Sequence, residues 1–487
     1  MSVHVARETA GMSDAHRFSS TTSTRPHVVV VGGGLAGLAA AASLSAADVR
    51  VTLLESRRRA GGRAASFEDP VAGGLVDACQ HVAMGCCTNF LDLCRQAGLA
   101  DALRRDRTLW FIGADGDRAV CTPSRMLPAP MHLAPLLLGM RHFSFHEKLS
   151  LGLGMLKLAR YREPACGEAD PAGSTALSWL KAAGQPERVI RLFWQPVLES
   201  ALGESIDLVS TAAARKVAVD AFLAHRDAAD MFVPMEPLGS LFGNRLVAWL
   251  QSRGVTVETG RSVTEIERDA AGRATAVLHG DGRTPCGAVI IALPWRQAAR
   301  VVPDLVPAAD DRFAGSPITA VHLWFDRDCI DLPHAVLVDR VSQWVFRPDT
   351  AEGRQPGYCQ VVISASRGLL GGDREKLVAT VVSELRDTFP AARDAVLIDA
   401  RVVTDPTAVP SVRPGVDAFR PAACTAVPNL FLAGDWTATG WPSTMEGAVR
   451  SGRLAAGATG RHLGRTVEPL TADLAKNPIV RLLTGNR

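Results

Sequence analysis

Three glycines spaced Gly32-x-Gly34-x-x-Gly37, followed by a carboxylate at Glu55, are the clearest chemical signature in the sequence. The first glycine permits a tight turn, the second lets the backbone approach a pyrophosphate, and the third allows close helix–strand packing. A helix opening at Leu35 and Ala36 turns its N-terminal N–H groups toward the phosphates. Glu55, with Ser56 beside it, is placed to accept the ribose hydroxyls, and a carboxylate there repels a 2′-phosphate. The chemistry these residues point to is dinucleotide binding. Positioning them takes a βαβ unit: a β-branched strand Val28–Val31, an Ala/Leu-rich helix from about Leu35 to Ala46, and a strand Val49–Leu54 ending in Glu55.

Directly after Glu55 comes Arg59-Ala60-Gly61-Gly62-Arg63. Its glycines let the chain pass close to a ligand, and Arg63 can neutralise a pyrophosphate. Near the other end of the chain, Asn429–Gly452 reads NLFLAGDWTATGWPSTMEGAVRSG. Ser443-Thr444-Met445-Glu446 has the S-x-x-E spacing of a capping box opening a helix. Together the two segments resemble the amine oxidase and carotenoid desaturase superfamily of FAD proteins. The resemblance implies FAD as cofactor, with Gly62 and Arg63 near the pyrophosphate and Val263 meeting the adenine end through its backbone. It implies Asp435, after Gly434, on the ribityl chain. It also implies Thr444 and Met445 at a helix N-terminus facing the flavin N1–C2=O edge, where the helix dipole favours the anionic reduced flavin.

The remaining pattern fits an α/β chain. The expected fold is a Rossmann-type FAD-binding domain, a parallel sheet plus a β-meander, interleaved with an α+β substrate domain, as in amine oxidases and phytoene desaturases. Residues 1–25 read as a tail. The FAD-binding domain is expected over 26–120, 233–296 and 425–465. A helical, substrate- and membrane-facing part covers 121–232, with Trp179–Ala201 and Ser210–His225 as helices. A sheet part of the substrate domain covers 297–424, with a helix at Lys376–Phe389. Residues 466–487 read as a loosely attached tail. A helix from about Leu238 to Arg253 leads into strands Val255–Glu258, Val263–Glu267 and Thr275–Leu278, the turn Asp281-Gly282, and Ala288–Leu293.

Within the helical part, Leu149, Leu153 and Leu156 form one stripe and Leu151, Met155 and Leu158 a second. Lys148, Lys157, Arg160 and Arg162 flank them. Two readings stand: a core helix, or a helix dipping into one membrane leaflet. Nothing in the sequence reads as a transmembrane span or a secretory signal, so the expected location is cytoplasmic, peripheral on the inner face of the membrane.

The 487 residues are 47% apolar and 21% charged, with a net charge of +3. These values exclude a disordered or fibrous chain and give no electrostatic footprint for nucleic acid. Ten cysteines without any C-x-x-C give no metal site and no disulfide framework.

Three readings compete for the activity. An amine oxidase walls its flavin with aromatics, often tyrosines. Here only Tyr161 and Tyr358 exist, and Thr444 stands where such enzymes often carry a cage aromatic. A non-enzymatic prenyl-lipid-binding relative would have lost FAD, against intact Gly32–Gly37, Arg63 and Asp435. The third reading is an enzyme of long isoprenoid lipids. Asp77-Ala78-Cys79-Gln80-His81-Val82 with Gly85 is similar to the stretch that lies against the isoalloxazine in this superfamily. Gln80-His81, Phe193-Trp194-Gln195-Pro196 and the C-terminal motif resemble the hydroxysqualene dehydroxylases of bacterial squalene and hopanoid synthesis. Ala78-Cys79 depart from the Asn-Gly usual there. The resemblance implies a C30 allylic alcohol as substrate and squalene plus water as products. It implies hydride from reduced flavin and a general acid for the departing hydroxide. His81 is the candidate acid and Gln80 its orienter; the bland alternative is that His81 only holds its loop. No second nucleotide fingerprint is present, so a separate reductant is expected. Carotenoid desaturation, with the flavin running the other way, is the main alternative.

Overall fold

The structure is a computed structural model. It describes residues 25–113, 116–163, 175–280, 282–306, 313–350, 353–354 and 356–485. The N-terminal tail lies outside them except for Arg25, as does Asp281 of the expected turn.

A continuous β-branched run and a glycine break give strand β1 (His27–Val31), helix α1 (Leu35–Ser45) and strand β2 (Arg50–Glu55). Val28–Val31 are essentially inaccessible to solvent, as expected of a strand covered on both faces. The nucleotide sheet is parallel, in the order Thr256–Thr259, β2, β1, Ala288–Ile291, Leu430–Leu432. This strand arrangement gathers residues from both ends of the chain beside the glycine loop. Residues 256–259, expected to begin the meander, instead pair with β2. The meander proper is antiparallel: Val263–Arg268, Ala274–His279 and Gly282–Pro285.

Helix α1 packs against the helix Met445–His462 so closely that a Cβ at Gly452 would stand 2.0 Å from the Ala36 carbonyl oxygen. A glycine is required there to bring the two cofactor motifs together.

A seven-stranded sheet forms the second layer, in the order Leu397–Pro410, Gly315–Phe325, Tyr358–Ile363, Trp344–Phe346, His334–Leu337, Leu109–Ile112, Arg118–Cys121. Leu109–Ile112 and Arg118–Cys121 belong to this sheet although they fall in or across the first expected nucleotide segment (26–120). The parallel pairing of Leu109–Ile112 with His334–Leu337 draws them away. The sheet carries the helix Arg374–Thr388. The hairpin β3 (Ser66–Asp69) and β4 (Gly74–Asp77) ends at the Gln80-His81 segment.

The helical part contains Phe145–Ala159, Ala176–Ala182, a continuous helical run from Glu187 to Leu202, and another from Thr211 to Leu223. The single helix expected over Trp179–Ala201 is broken: Gly184 adopts φ +76° and Pro186 precedes the restart. Ser144 and Glu147 form a reciprocal capping box at the start of Phe145–Ala159. Of that helix's two apolar stripes, Leu151 and Leu158 are buried, whereas Leu149 and Leu153 are 52% and 50% exposed. One stripe is core and the other faces outward.

Residues 466–485 are not loosely attached. The Thr471 N–H donates to Asn89 Oδ1 at 2.9 Å, and Asn89 Nδ2 donates back to the Thr471 carbonyl at 3.1 Å. The Asn477 N–H donates to the Ala224 carbonyl, and Val480 is buried on the helix Pro478–Thr484. Sequence polarity hid this attachment because it is made through hydrogen bonds to distant groups and through isolated apolar anchors.

Candidate flavin site

At the nucleotide end, the Gly33 N–H donates to Glu55 Oε2 at 2.7 Å. The Arg57 N–H and the Ser56 hydroxyl donate to Glu55 Oε1 at 2.8 and 3.2 Å. Glu55 is thus a buried carboxylate with no ion-pair partner among the described residues, held by neutral donors, with lone pairs to spare. A Cβ at Gly37 would lie 1.9 Å from the Gly32 carbonyl oxygen, so only glycine lets the helix begin this close to β1. Gly34 caps α1 without any side-chain hydrogen bond, which leaves the N–H groups at Leu35 and Ala36 free of a side-chain cap. The Gly61 N–H donates to the Gly33 carbonyl at 2.8 Å, folding Gly62 and Arg63 back over the glycine loop.

Arg63 joins the two ends of the sequence. Its Nη2 donates to Asp435 Oδ1 at 2.6 Å and its Nη1 to the Ala408 carbonyl at 2.7 Å. Burial works against the guanidinium charge, but the Asp435 carboxylate more than offsets it and holds the pKa above its ordinary value. Gly434, beside it, has φ +142° and donates its N–H to the Ser451 hydroxyl. Val263 opens its meander strand and packs on the apolar layer that contains Val31 and Leu54, at the carboxyl ends of β1 and β2.

The helix after this motif starts one residue later than S-x-x-E spacing implies. Thr444 is the N-cap and accepts from the Gly447 N–H at 3.2 Å; Met445 is the first helical residue. Ser443 instead donates to the Asp435 carbonyl and accepts from Arg420. Glu446 does not reach back to the N-cap of its own helix. Fully buried, it accepts from the Asn89 and Phe90 N–H groups at 3.1 and 2.8 Å, satisfying the N-terminus of α2 (Thr88–Gln96), and pairs with Arg450 at 2.7 Å. The expected capping box is therefore replaced by a cap donated to another helix, because α2 lies across the motif helix.

The Asp77–His81 segment is pinned from several sides. Asp77 Oδ1 accepts from the Ser66 hydroxyl at 2.6 Å and the Leu238 N–H at 2.7 Å. Burial nevertheless pushes its pKa up to about 6. His81 Nδ1 bonds the Cys79 carbonyl at 2.8 Å, which assigns the Nδ1–H tautomer to the neutral ring and leaves Nε2 as its other polar atom. Burial, reinforced by Arg63, lowers the His81 pKa, with the Cys79 carbonyl opposing. Gln80 Nε2 donates to the His81 carbonyl at 3.2 Å. Cys79 is pushed up to about 12 by burial and by Asp77, so its thiol stays protonated.

Behind this segment stands a polar group no local pattern announced. Gln360 Oε1 accepts the Gln80 N–H at 2.5 Å, and Gln360 Nε2 donates to the Asp77 carbonyl at 3.2 Å. His322 and Tyr358 adjoin it. Of four other histidines, His132, His142, His146 and His322, only His322 reaches this network. His132 sits buried in a short 3-10 turn, His142 packs on Phe143, and His146 lies exposed on the helix Phe145–Ala159.

A glycine loop in which Gly32 and Gly37 have no room for side chains, a buried carboxylate facing neutral donors, and an arginine–aspartate pair linking the two motifs fit FAD. Fold and site together define an FAD-dependent oxidoreductase. The chain belongs to the flavin-containing amine oxidoreductase family, whose profile matches residues 35–459. It is 28% identical over 432 residues to a hydroxysqualene dehydroxylase of Zymomonas mobilis, covering 88% of this chain and 97% of the relative. It is 26% identical over 461 residues to a 15-cis-phytoene desaturase of Synechococcus elongatus, covering 88% and 94%. Among solved structures, an oxidoreductase from Methanosarcina mazei superposes with a TM-score of 0.66 at 16% identity, covering 88% of this chain and 98% of that one. Cyclohexylamine oxidase from Brevibacterium oxydans superposes with a TM-score of 0.62 at 18% identity, covering 91% and 100%. The superpositions establish the fold.

Proposed function

We propose that this protein reduces hydroxysqualene to squalene and water. The observation that carries the reading is the Gln80-His81 pair, held in a pinned loop with one ring nitrogen tied to Cys79 and the other left for a ligand. A desaturase has no leaving hydroxide and needs no proton donor; a dehydroxylase does. The similarity to hydroxysqualene dehydroxylases over most of the chain supports the same reading.

Bound reduced FAD supplies the hydride that replaces the hydroxyl. The chain's own residues do the rest. Arg63 and the N–H groups at Leu35 and Ala36 hold the pyrophosphate, and Glu55 holds the ribose. Asp435 orients the ribityl chain, and the N-terminus of the helix at Met445 favours negative charge on the pyrimidine edge. His81 carries a proton at Nε2 to the leaving oxygen, and Gln80 fixes the loop carbonyl beside it. Because burial lowers the His81 pKa, the protonated ring is scarce at neutral pH, and turnover falls as pH rises from mildly acidic to neutral. The apolar helical layer keeps water from the allylic cation. The reductant is a separate protein or diffusible donor.

No helix among the described residues is long and apolar enough to cross a membrane. The outward Leu149 and Leu153 support shallow docking on the cytoplasmic face of the membrane, where an insoluble substrate would be collected.

The test is turnover of the reduced holoenzyme with hydroxysqualene or phytoene, followed by lipid extraction and mass analysis. Squalene from the first and no product from the second is expected. Desaturation of phytoene by the oxidised enzyme would replace this reading. His81→Ala with full FAD content and undiminished turnover would remove His81 as the acid.

A further inference from the structure

The seven-stranded sheet meets the proposed flavin-facing loop at a buried amide. Gln360, on the strand Tyr358–Ile363, is 1% exposed. Its amide bridges the two ends of the Asp77–Gln80 turn, accepting from the Gln80 N–H at 2.5 Å and donating to the Asp77 carbonyl at 3.2 Å. A single side chain thus supplies the donor and acceptor that a neighbouring strand would otherwise offer.

The amide has only one workable orientation. Gln360 Nε2 also lies 3.2 Å from His322 Nδ1, the residue directly opposite it on the adjacent antiparallel strand. His322 Nδ1 in turn lies 2.9 Å from the Tyr358 hydroxyl. Burial lowers the His322 pKa to about 4, which keeps the ring neutral, and the Gln360 NH₂, oriented by the Gln80 N–H and the Asp77 carbonyl, faces Nδ1 and makes it the accepting nitrogen. The ring is packed edge-on by Phe67 and stacked by Trp324. Flipping the amide would set its NH₂ against the Gln80 N–H and its oxygen against the Asp77 carbonyl and the His322 lone pair. Buried polar mismatches of that kind are costly, so the turn's backbone groups and His322 together hold the amide in one orientation, and the amide ties the turn to the sheet.

We propose that Gln360, oriented by His322 and Tyr358, is a positioning residue: it sets the distance of Gln80 and His81 from the flavin and from the reacting carbon. This rests on the loop facing the flavin, as in the proposed function. Reacting groups misplaced by about 1 Å cost on the order of a hundredfold in rate. The loss should fall on kcat, because Gln360 itself touches no substrate.

The experiment compares holoenzymes carrying Gln360→Leu, which keeps volume and removes both hydrogen bonds, and Tyr358→Phe, which removes only the outer hydroxyl. FAD content, visible circular dichroism of the bound flavin, midpoint potential, kcat and KM are measured for each. Expected for Q360L are full FAD content, altered flavin dichroism, and kcat lowered tenfold to a hundredfold with KM within about twofold. Expected for Y358F is a smaller shift in the same direction. Q360L with lowered thermal stability but unchanged kcat and unchanged flavin dichroism would overturn the proposal. If Q360L does not retain FAD, Y358F decides alone: unchanged kcat and dichroism there also overturn it. The dichroism and potential need no substrate. If hydroxysqualene is not the substrate, they still shift and the clamp survives; if the clamp is wrong, they stay fixed whatever the substrate.

Discussion

Asp435→Ala should weaken FAD binding by more than the loss of one ligand contact, because Asp435 also holds Arg63. Their contact is 2.6 Å, with the Asp435 side chain 4% and the Arg63 side chain 34% exposed. A charge-assisted hydrogen bond of this kind contributes roughly 1.5–3 kcal/mol. Arg63 keeps the Ala408 carbonyl at 2.7 Å and about a third of its surface, so solvent recovers part of the loss and the lower bound applies. Losing the proposed ribityl acceptor adds on the order of 1 kcal/mol. Together these give about 2.5 kcal/mol, close to 70-fold in the FAD Kd. The assay is calorimetric titration of deflavinated protein with FAD for the wild type, D435A, Arg63→Met and the double variant. Two residues that share one hydrogen bond and one ligand should couple by about 1 kcal/mol or more. Additive effects, within about 0.3 kcal/mol, would show that the two motifs do not form one site.

Other outcomes follow from the same geometry. Gly37→Ala, whose Cβ would stand 1.9 Å from the Gly32 carbonyl oxygen, should yield folded protein that does not retain FAD through gel filtration; full flavin content would refute the cradle. His322 is neutral in the fold with its pKa lowered to about 4 from 6.5, so its contribution, on the order of 3 kcal/mol, is present above pH 6.5 and is lost as pH falls toward 4. Asp77, raised to about 6 from 3.8, acts oppositely: its penalty appears as pH rises through that same interval. The melting temperature of His322→Asn should therefore gain on the wild type as pH is lowered from 7 to 4.5; parallel curves would contradict the assignment. Leu149→Asp with Leu153→Asp should leave flavin content and detergent-solubilised turnover intact while reducing co-sedimentation with lipid vesicles at least tenfold; equal co-sedimentation would make that stripe an ordinary surface.

The nucleotide half of the site was legible because its signals are local. Gly32–Gly37 and Glu55 meet within one βαβ unit, and glycine is the only residue that fits at Gly37; Arg63 follows it directly in sequence but reaches out to Asp435 and Ala408. The second motif was legible as a ligand segment, yet its capping was misplaced. Glu446 has a capping spacing, but an open N-terminus of α2 lay nearer to its carboxylate, and that partner is separated from it by most of the chain. The same holds for Gln360 and His322. They are a cross-strand pair in a sheet whose strand order no local periodicity specifies, so their junction with Asp77 and Gln80 exists only once the layers close. The C-terminal segment was missed for a related reason: it is attached by hydrogen bonds to Asn89, Ala224 and Arg450 and by Val467, Leu474 and Val480, apolar anchors too widely spaced to read as a stripe. The helical stripes were readable as stripes, but which one faced the core depended on what packed against them.

The most direct test of the central claim is a single anaerobic turnover in D₂O. The holoenzyme is reduced photochemically, mixed with one equivalent of hydroxysqualene, followed at the visible flavin band and extracted for mass analysis. The account predicts reoxidation of the flavin and squalene carrying one deuterium at the former carbinol carbon. A flavin that stays reduced, or squalene formed without deuterium, would contradict it.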